Sequence, residues 1–217
     1  LEFVLLYLAV AKTGIVIVPI SPLLNDNGLQ RLLVDSDSIM VIADSCYAGT
    51  IKKIRLNLPA IEPSRFVLVG GGQAPKDFVS YTDFIRDAPE TEPPDASLVD
   101  NDIFNIMYSS GTTGLPKGIV HNHYVRSNYC TLFASSFRVT PESTFLHSGS
   151  LVFNSAMMDL MPWIFLGCHY ILHENFDAKR MIDEIDAHNV THILMVPSQI
   201  IAFLNHPDFL PKKLQTL

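Results

Sequence analysis

Short apolar runs alternate with segments of helical periodicity along most of this chain. The mostly apolar runs predict buried strands at residues 15–19, 39–43, 66–69, 103–108, 144–147, 169–172 and 192–196. The intervening segments predict helices at residues 3–12, 46–58, 77–88, 124–137, 156–166 and 177–188, with further helices beginning near Asn25 and at Pro197. Strands that are apolar on both faces and separated by helices favour an α/β fold, with mostly parallel sheets covered by helices.

The βαβ pattern restarts near residue 149. We therefore expect two βαβ-type subdomains, at residues 1–148 and 149–217, the second of them incomplete. Two helix ends have local signals: Gly14 suits the left-handed position after the first helix, and Asn25 suits the N-cap of the second. Residues 89–101, which are acidic and rich in proline, predict a surface connection.

Composition narrows the class of protein. The 217 residues are 48% hydrophobic and 17% charged, which is typical of a globular protein, and the formal net charge of −7 argues against non-specific nucleic-acid binding. The apolar run at residues 3–11 is too short for a membrane span, which needs about 20 residues. The cysteines Cys46, Cys130 and Cys168 form no CxxC pair and predict small buried apolar residues in a reducing, cytoplasmic compartment. Histidine pairs such as His121-x-His123 lack further ligands at suitable spacing, so we predict no metal site.

Candidate chemistry concentrates at residues 109–118, SSGTTGLPKG. Four hydroxyl side chains and three glycines lie beside Lys117, directly after a predicted strand. Glycines let the backbone approach a phosphate, hydroxyls donate hydrogen bonds, and the lysine supplies positive charge. The segment lacks the Gly-Lys-Ser/Thr of a Walker A loop and the GxGxxG of a dinucleotide-binding loop. It therefore predicts a different kind of polyphosphate-binding loop.

This loop resembles the phosphate-binding signature of the adenylate-forming superfamily, which includes acyl-CoA synthetases, firefly-type luciferases and adenylation domains of nonribosomal peptide synthetases. Residues 14–24, GIVIVPISPLL, and residues 193–198, ILMVPS, are similar to further family segments. The resemblance thus extends over essentially the whole chain. It identifies the chain as part of the large N-terminal domain of such an enzyme.

The resemblance implies an acid–thiol ligase that uses Mg²⁺-ATP to convert a carboxylic acid to an acyl-adenylate and then forms a thioester with coenzyme A. By the same resemblance, Lys117, Thr112 and Thr113 are expected to take part in catalysis. The whole set expected to bind the nucleotide phosphates is Ser109, Ser110, Gly111, Thr112, Thr113, Gly114 and Lys117.

Two further residues are candidates for the acyl side of the site. His123 matches a histidine that follows the loop in many relatives. Phe153 falls at the aromatic position of the acyl pocket when Gly167 is aligned without a gap, although residues 150–154 lack the proline and histidine common there. Phe153 also has an alternative interpretation as a core residue. The apolar character of residues 151–161 favours a fatty or other apolar acid.

Several family elements do not occur in these 217 residues. They include the Tyr-Gly-x-Thr-Glu segment, the ribose-binding aspartate and the C-terminal lysine. We therefore expect a piece of a longer enzyme that has little adenylation activity alone. A luciferase-like enzyme, an amino-acid-adenylating enzyme and a non-catalytic nucleotide-binding remnant stay open as alternatives, and the sequence leaves the oligomeric state open.

Overall fold

A computed structural model describes residues 1–109 and 116–217. The chain divides into two units, Leu1–His121 and Asn122–Leu217. Residues 122–148, which the sequence analysis assigned to the first subdomain, thus lie in the second unit. The boundary at residue 149, predicted from the restart of the βαβ pattern, and the assignment of residues 149–217 to the acyl pocket stay predictions.

The first unit contains a parallel three-stranded sheet. Its strands β1 (Val41–Asp44), β2 (Phe66–Val69) and β3 (Val79–Ser80) lie in the order β1-β2-β3. The helices of this unit are α1 (Glu2–Thr13), α2 (Asp26–Asp35), α3 (Ala48–Ile54) and α4 (Tyr81–Ile85). Apolar side chains from α2, α3, β2 and the connecting segments form one core: Leu33, Ile51, Ile54, Leu58, Ile61, Phe66, Leu68 and Phe78.

A separate strand pair follows in the same unit. Strand β4 (Ile103–Ser109) pairs with β5 (Lys117–Asn122), and the two strands flank the loop predicted to bind phosphate. Ile17 forms a parallel bridge to Asn105 of β4. Strand β5 was not predicted from the sequence.

The second unit has its own parallel sheet, whose strands are β6 (Thr144–His147), β7 (His169–Leu172) and β8 (His192–Leu194). The order is β7-β6-β8, so the first strand in sequence lies at the centre. The helices are α5 (His123–Phe137), α6 (Met157–Leu166), α7 (Ala178–Ala187) and α8 (Pro197–Leu204). Helix α7 contributes much of one core, made of Leu146, Met181, Ile182, Ile185, Val190 and Phe203. The predicted α/β class with parallel sheets is confirmed.

Local signals placed several element ends correctly. Gly14 follows α1 with a φ of 71°, and its N–H donates to the Val10 carbonyl. The Asn25 side chain caps α2 by accepting from the Gly28 N–H at 2.8 Å. Within the described residues, no helix has the length and apolar character that crossing a membrane requires.

Other expectations were wrong. The predicted strand at residues 15–19 is reduced to the single bridge at Ile17, and the predicted helix at residues 46–58 is interrupted by 3₁₀ turns on both sides of α3. The predicted helix at residues 77–88 is instead β3 followed by α4, because the Ser80 hydroxyl accepts from the Asp83 N–H and starts the helix at Tyr81. Cys168 is buried as expected, whereas Cys46 is exposed.

Candidate functional site

The described ends of the phosphate-loop candidate lie on two paired strands. Ser109 is the last residue of β4 and Lys117 is the first residue of β5, and both are exposed. Pairing of β4 with β5 therefore holds the two described ends of the loop, Ser109 and Lys117, on neighbouring strands. Five other predicted phosphate-binding residues lie outside the described residues, and their roles stay predictions: Ser110, Gly111, Thr112, Thr113 and Gly114.

Gly118, directly after the loop lysine, lies where no side chain fits comfortably. A Cβ built there would lie 3.0 Å from Ile106 Cγ2 and 3.4 Å from the Tyr108 ring. Ile106 and Tyr108 are two positions apart in β4, so they share one face of the strand. The absence of a side chain at Gly118 thus allows the start of β5 to lie directly against β4.

Tyr108 also connects this strand pair to helix α2. Its hydroxyl donates to Asp35 Oδ2 at 2.6 Å, and Asp35 is the last residue of α2. Burial, and next the contact with Asp35, raise the pKa of the Tyr108 phenol above its ordinary value. The hydroxyl is therefore protonated and available as a donor across the physiological pH range.

The two residues predicted to line the acyl side lie in the second unit. His123 is the first residue of α5, next to Asn122, whose side chain caps the helix by accepting from the Val125 N–H at 2.9 Å. Phe153 lies just before the 3₁₀ turn Asn154–Ala156 and is 49% exposed. It is therefore not a core side chain of this structure, which removes the alternative interpretation.

A polar cluster links the segments that contain these two residues. Arg126, one turn after His123, is 2% exposed, and its Nη1 donates to Asn154 Oδ1 at 2.9 Å. The guanidinium carbon lies 4.9 Å from the centre of the Tyr129 ring, and Asn154 Nδ2 donates to the Tyr129 hydroxyl at 3.2 Å. These contacts fix the turn that follows Phe153 onto helix α5.

A buried histidine–carboxylate pair lies at the carboxyl end of the central strand β6. His147 Nδ1 is 3.0 Å from Asp159 Oδ2, and its Nε2 is 3.1 Å from the Gly149 carbonyl oxygen. The two side chains are 2% and 7% exposed. A carbonyl oxygen only accepts, so the Nε2–H of His147 donates to Gly149, and Nδ1 faces the carboxyl group of Asp159. The pair joins β6 to the first turn of α6.

A second such pair lies beyond the neighbouring strand β7. His173 Nε2 is 2.6 Å from Glu184 Oε2, and Arg180 Nε donates to Glu184 Oε1 at 2.8 Å. Burial raises the pKa of Glu184, but hydrogen bonds from His173 and Arg180 outweigh burial and leave the pKa lowered. Glu184 is therefore a carboxylate that accepts from Arg180 on α7 and from His173, which follows β7.

Sequence reasoning missed these three clusters and the Tyr108 contact. Signals existed for some of them. Asp159 is the only charged residue of the otherwise apolar α6, and Arg180 and Glu184 are four residues apart on one helix face. No group of three histidine, cysteine or acidic side chains within residues 1–109 and 116–217 is arranged to hold a metal ion.

The fold and the loop define a class: an α/β protein in which two paired strands hold a loop rich in Ser, Thr and Gly beside an exposed lysine. A family model described as AMP-binding enzyme matches residues 1–217. The chain therefore belongs to the AMP-binding enzyme family.

Relatives with curated names fall within this family. The chain is 26% identical over 217 residues to 4-coumarate–CoA ligase 2 from Solanum tuberosum, with 95% of this chain and 37% of that protein covered. It is 27% identical over 215 residues to feruloyl-CoA synthase from Amycolatopsis sp, with 96% and 39% covered. The chain thus spans less than half the length of these relatives.

Solved structures give the same assignment. The anthranilate CoA ligase AuaEII, in complex with anthranoyl-AMP, superposes with a TM-score of 0.86 at 27% identity, covering 96% of this chain and 40% of that one. The N-terminal domain of FACL13 from Mycobacterium tuberculosis superposes with a TM-score of 0.80 at 27% identity, covering 96% and 50%. The expected correspondence to an N-terminal domain is therefore confirmed.

Proposed function

We propose that the protein to which these residues belong activates a carboxylic acid with ATP and then transfers the acyl group to the thiol of coenzyme A. The carboxylate oxygen attacks the α-phosphorus of ATP, and pyrophosphate leaves. The thiol sulfur then attacks the acyl carbon, loses its proton, and AMP leaves. The observation that carries this proposal is the match of the whole chain to the AMP-binding family, together with relatives that are named as CoA ligases.

The chain's own residues suit the nucleotide half of this reaction. Lys117 is exposed at the first position of β5, where its ammonium group can neutralise phosphate charge without an acidic residue beside it in sequence. The next residue, Gly118, adds no side chain beside the lysine. Ser109 contributes an exposed hydroxyl from the opposite strand, and we assign the same role to the loop residues between them. Mg²⁺ bound with the nucleotide would supply further neutralisation of the phosphates.

We assign the acyl half to a fatty or other apolar acid. A half-exposed Phe153 provides apolar surface on a turn that Arg126 and Asn154 hold in place. The AuaEII structure with its acyl-adenylate supports this kind of chemistry for a related protein, and the named relatives act on aromatic acids. His123, at the start of the same helix as Arg126, is proposed to shape this side of the site.

Amino-acid adenylation is a second candidate with one supporting observation. Surfactin synthase subunit 1 from Bacillus subtilis is 24% identical over 203 residues, covering 92% of this chain and 5% of that protein. A panel of substrates that contains amino acids therefore separates the two candidates.

Acid-dependent exchange of labelled pyrophosphate into ATP tests the proposal. We expect the longer parent protein to catalyse exchange with apolar carboxylic acids and not with amino acids, and the 217 residues alone to show little exchange. Replacing Lys117 by Ala should reduce exchange by about a hundredfold, because it removes the positive charge that we assign to the neutralisation of the phosphates. The matched control is Lys76→Ala, which removes an exposed lysine of the same unit.

Absence of exchange with every acid by the parent protein would refute the proposed function. Exchange driven only by amino acids would replace it with the second candidate. Robust exchange by the 217 residues alone would refute the expectation that downstream elements are required.

A further inference from the structure

The contact between Tyr108 and Asp35 connects two elements that the sequence places 73 residues apart. Tyr108 directly precedes Ser109, which is the first residue of the loop. Asp35 lies at the end of α2, whose Leu32 and Leu33 are 3% and 6% exposed. A helix anchored in this way offers a fixed acceptor to a strand that leads into a loop rich in glycine and hydroxyls.

The end of α2 is itself held in one arrangement. The Ser36 N–H donates to the carbonyl oxygens of Leu32 and Val34, and the Ser36 hydroxyl donates to Leu32 O at 2.7 Å. Asp37 adopts a left-handed conformation with a φ of 50°, which turns the chain away from the helix. These contacts hold the backbone at the end of α2, from which the Asp35 side chain extends to Tyr108.

The Tyr108 ring contacts the other arm of the loop as well. It lies 3.4 Å from the position that a Gly118 Cβ would occupy, one residue after Lys117. The Tyr108 side chain therefore projects from β4 and packs on β5 at Gly118. Its hydroxyl connects these two strands to α2.

We propose that Tyr108, held by Asp35, is a positioning residue. It fixes the base of the phosphate loop, meaning the paired ends of β4 and β5, and thereby the position of Lys117. This inference rests on the proposed ATP-binding function. The raised pKa of the Tyr108 phenol agrees with it, since an uncharged donor facing a carboxylate stays bound across the working pH range.

Two measurements on the same variants test the inference. The first is the dissociation constant of Mg-ATP. Tyr108→Phe keeps the ring and removes the donor, and Asp35→Ala removes the acceptor. Each should weaken binding about fivefold to tenfold, because the ends of the loop would then be in the binding-competent arrangement less often. The double variant should bind no more weakly than either single one, because both remove the same contact. Tyr81→Phe and Asp87→Ala are matched controls in the same unit, since Asp87 is exposed, and both should bind as the protein without substitutions does.

The second measurement does not depend on nucleotide. Trypsin cleavage after the exposed Lys117, followed by mass spectrometry, should become faster in Tyr108→Phe and Asp35→Ala, because the base of the loop opens more often. The control variants should be cleaved at the original rate.

The possible outcomes separate this inference from the proposed function. If the protein without substitutions fails to bind Mg-ATP, the proposed function is overturned. The trypsin measurement would still show whether Tyr108 holds the base of the loop. Normal binding by the unchanged protein, with affinity and cleavage unaltered in Tyr108→Phe, would overturn the inference alone. Faster cleavage with unaltered affinity would also overturn it, since Tyr108 would then have only a structural role.

Discussion

Removing one partner of the buried His147–Asp159 pair should destabilise the second unit strongly. The two side chains are 2% and 7% exposed and lie 3.0 Å apart, so a change of Asp159 to Leu leaves a buried imidazole without its carboxylate. Breaking such a pair costs about 3–5 kcal/mol of the free energy of unfolding. Asp159 also lies in the first turn of α6, where loss of its negative charge adds roughly 0.3–1 kcal/mol.

The variants separate the contribution of the pair from that of the helix end. Asp159→Asn loses the charge but keeps a partner for Nδ1 of a neutral ring, whose Nε2 still donates to Gly149, so it should cost only about 1–2 kcal/mol. The double variant His147→Leu, Asp159→Leu removes both polar side chains and should be more stable than Asp159→Leu alone, because the buried Nδ1 of His147 is no longer left without a partner.

Urea and thermal unfolding measure these differences. In a chain of this length, a loss of 3–5 kcal/mol corresponds to a drop in Tm of roughly 6–20 °C. Asp186→Ala, at an exposed position on α7, is the control and should change the free energy of unfolding by no more than about 0.5 kcal/mol. A cost below about 1 kcal/mol for Asp159→Leu, or a double variant no more stable than Asp159→Leu, would refute a coupled buried pair.

Three further predictions concern other parts of the chain. The lowered pKa of Glu184 stabilises the fold above the ordinary glutamate pKa of 4.5 and stops doing so as the pH falls through the lowered value. The advantage of the unchanged protein over Glu184→Gln in the free energy of unfolding should therefore be present at pH 7 and shrink below about pH 4.5; an advantage independent of pH would contradict this. Gly118→Ala should weaken Mg-ATP binding more than Gly49→Ala, because an added Cβ meets Ile106 and Tyr108 at Gly118 and nothing within 4 Å at Gly49; equal binding constants would contradict the close approach. Phe153→Ala should change the free energy of unfolding by less than about 1 kcal/mol, because the side chain is 49% exposed, while altering which acids support exchange; an unaltered acid preference would remove Phe153 from the acyl side.

Much of the α/β architecture follows from local pattern. Strand β6 and strand β7 were predicted at their observed bounds, since each is a short apolar run between clear turn signals. Gly14 and Asn25 marked helix ends because a left-handed residue and a side-chain cap each require particular residue types.

The errors come from contacts between segments. Residues 15–19 are as apolar as a strand, but only Ile17 finds a bridging partner, on β4. Strand β5 was missed because its pairing with β4 defines it, and most of its residues are exposed, so no alternation of buried and exposed positions marks it. The start of α4 was predictable, since Ser80 three residues before Asp83 is a capping pattern.

The candidate site divides in the same way. The loop at residues 109–118 could be recognised because its chemistry lies in consecutive residues. The Tyr108–Asp35 contact spans 73 positions, and the His147–Asp159 contact joins a strand end to the next helix, so neither follows from spacing along the sequence. Exposure of Phe153 likewise required the structure, because an apolar residue near an apolar helix reads as core in sequence.

Isotope transfer tests the central proposal most directly. The parent protein would be given ATP, coenzyme A and an apolar acid labelled with ¹⁸O in both carboxylate oxygens, and the products would be analysed by mass spectrometry. Attack of the carboxylate on the α-phosphorus, followed by acyl transfer to the thiol, predicts that AMP carries one ¹⁸O for each thioester formed. Label in orthophosphate together with ADP, or thioester formed with unlabelled AMP, would contradict activation through an acyl-adenylate.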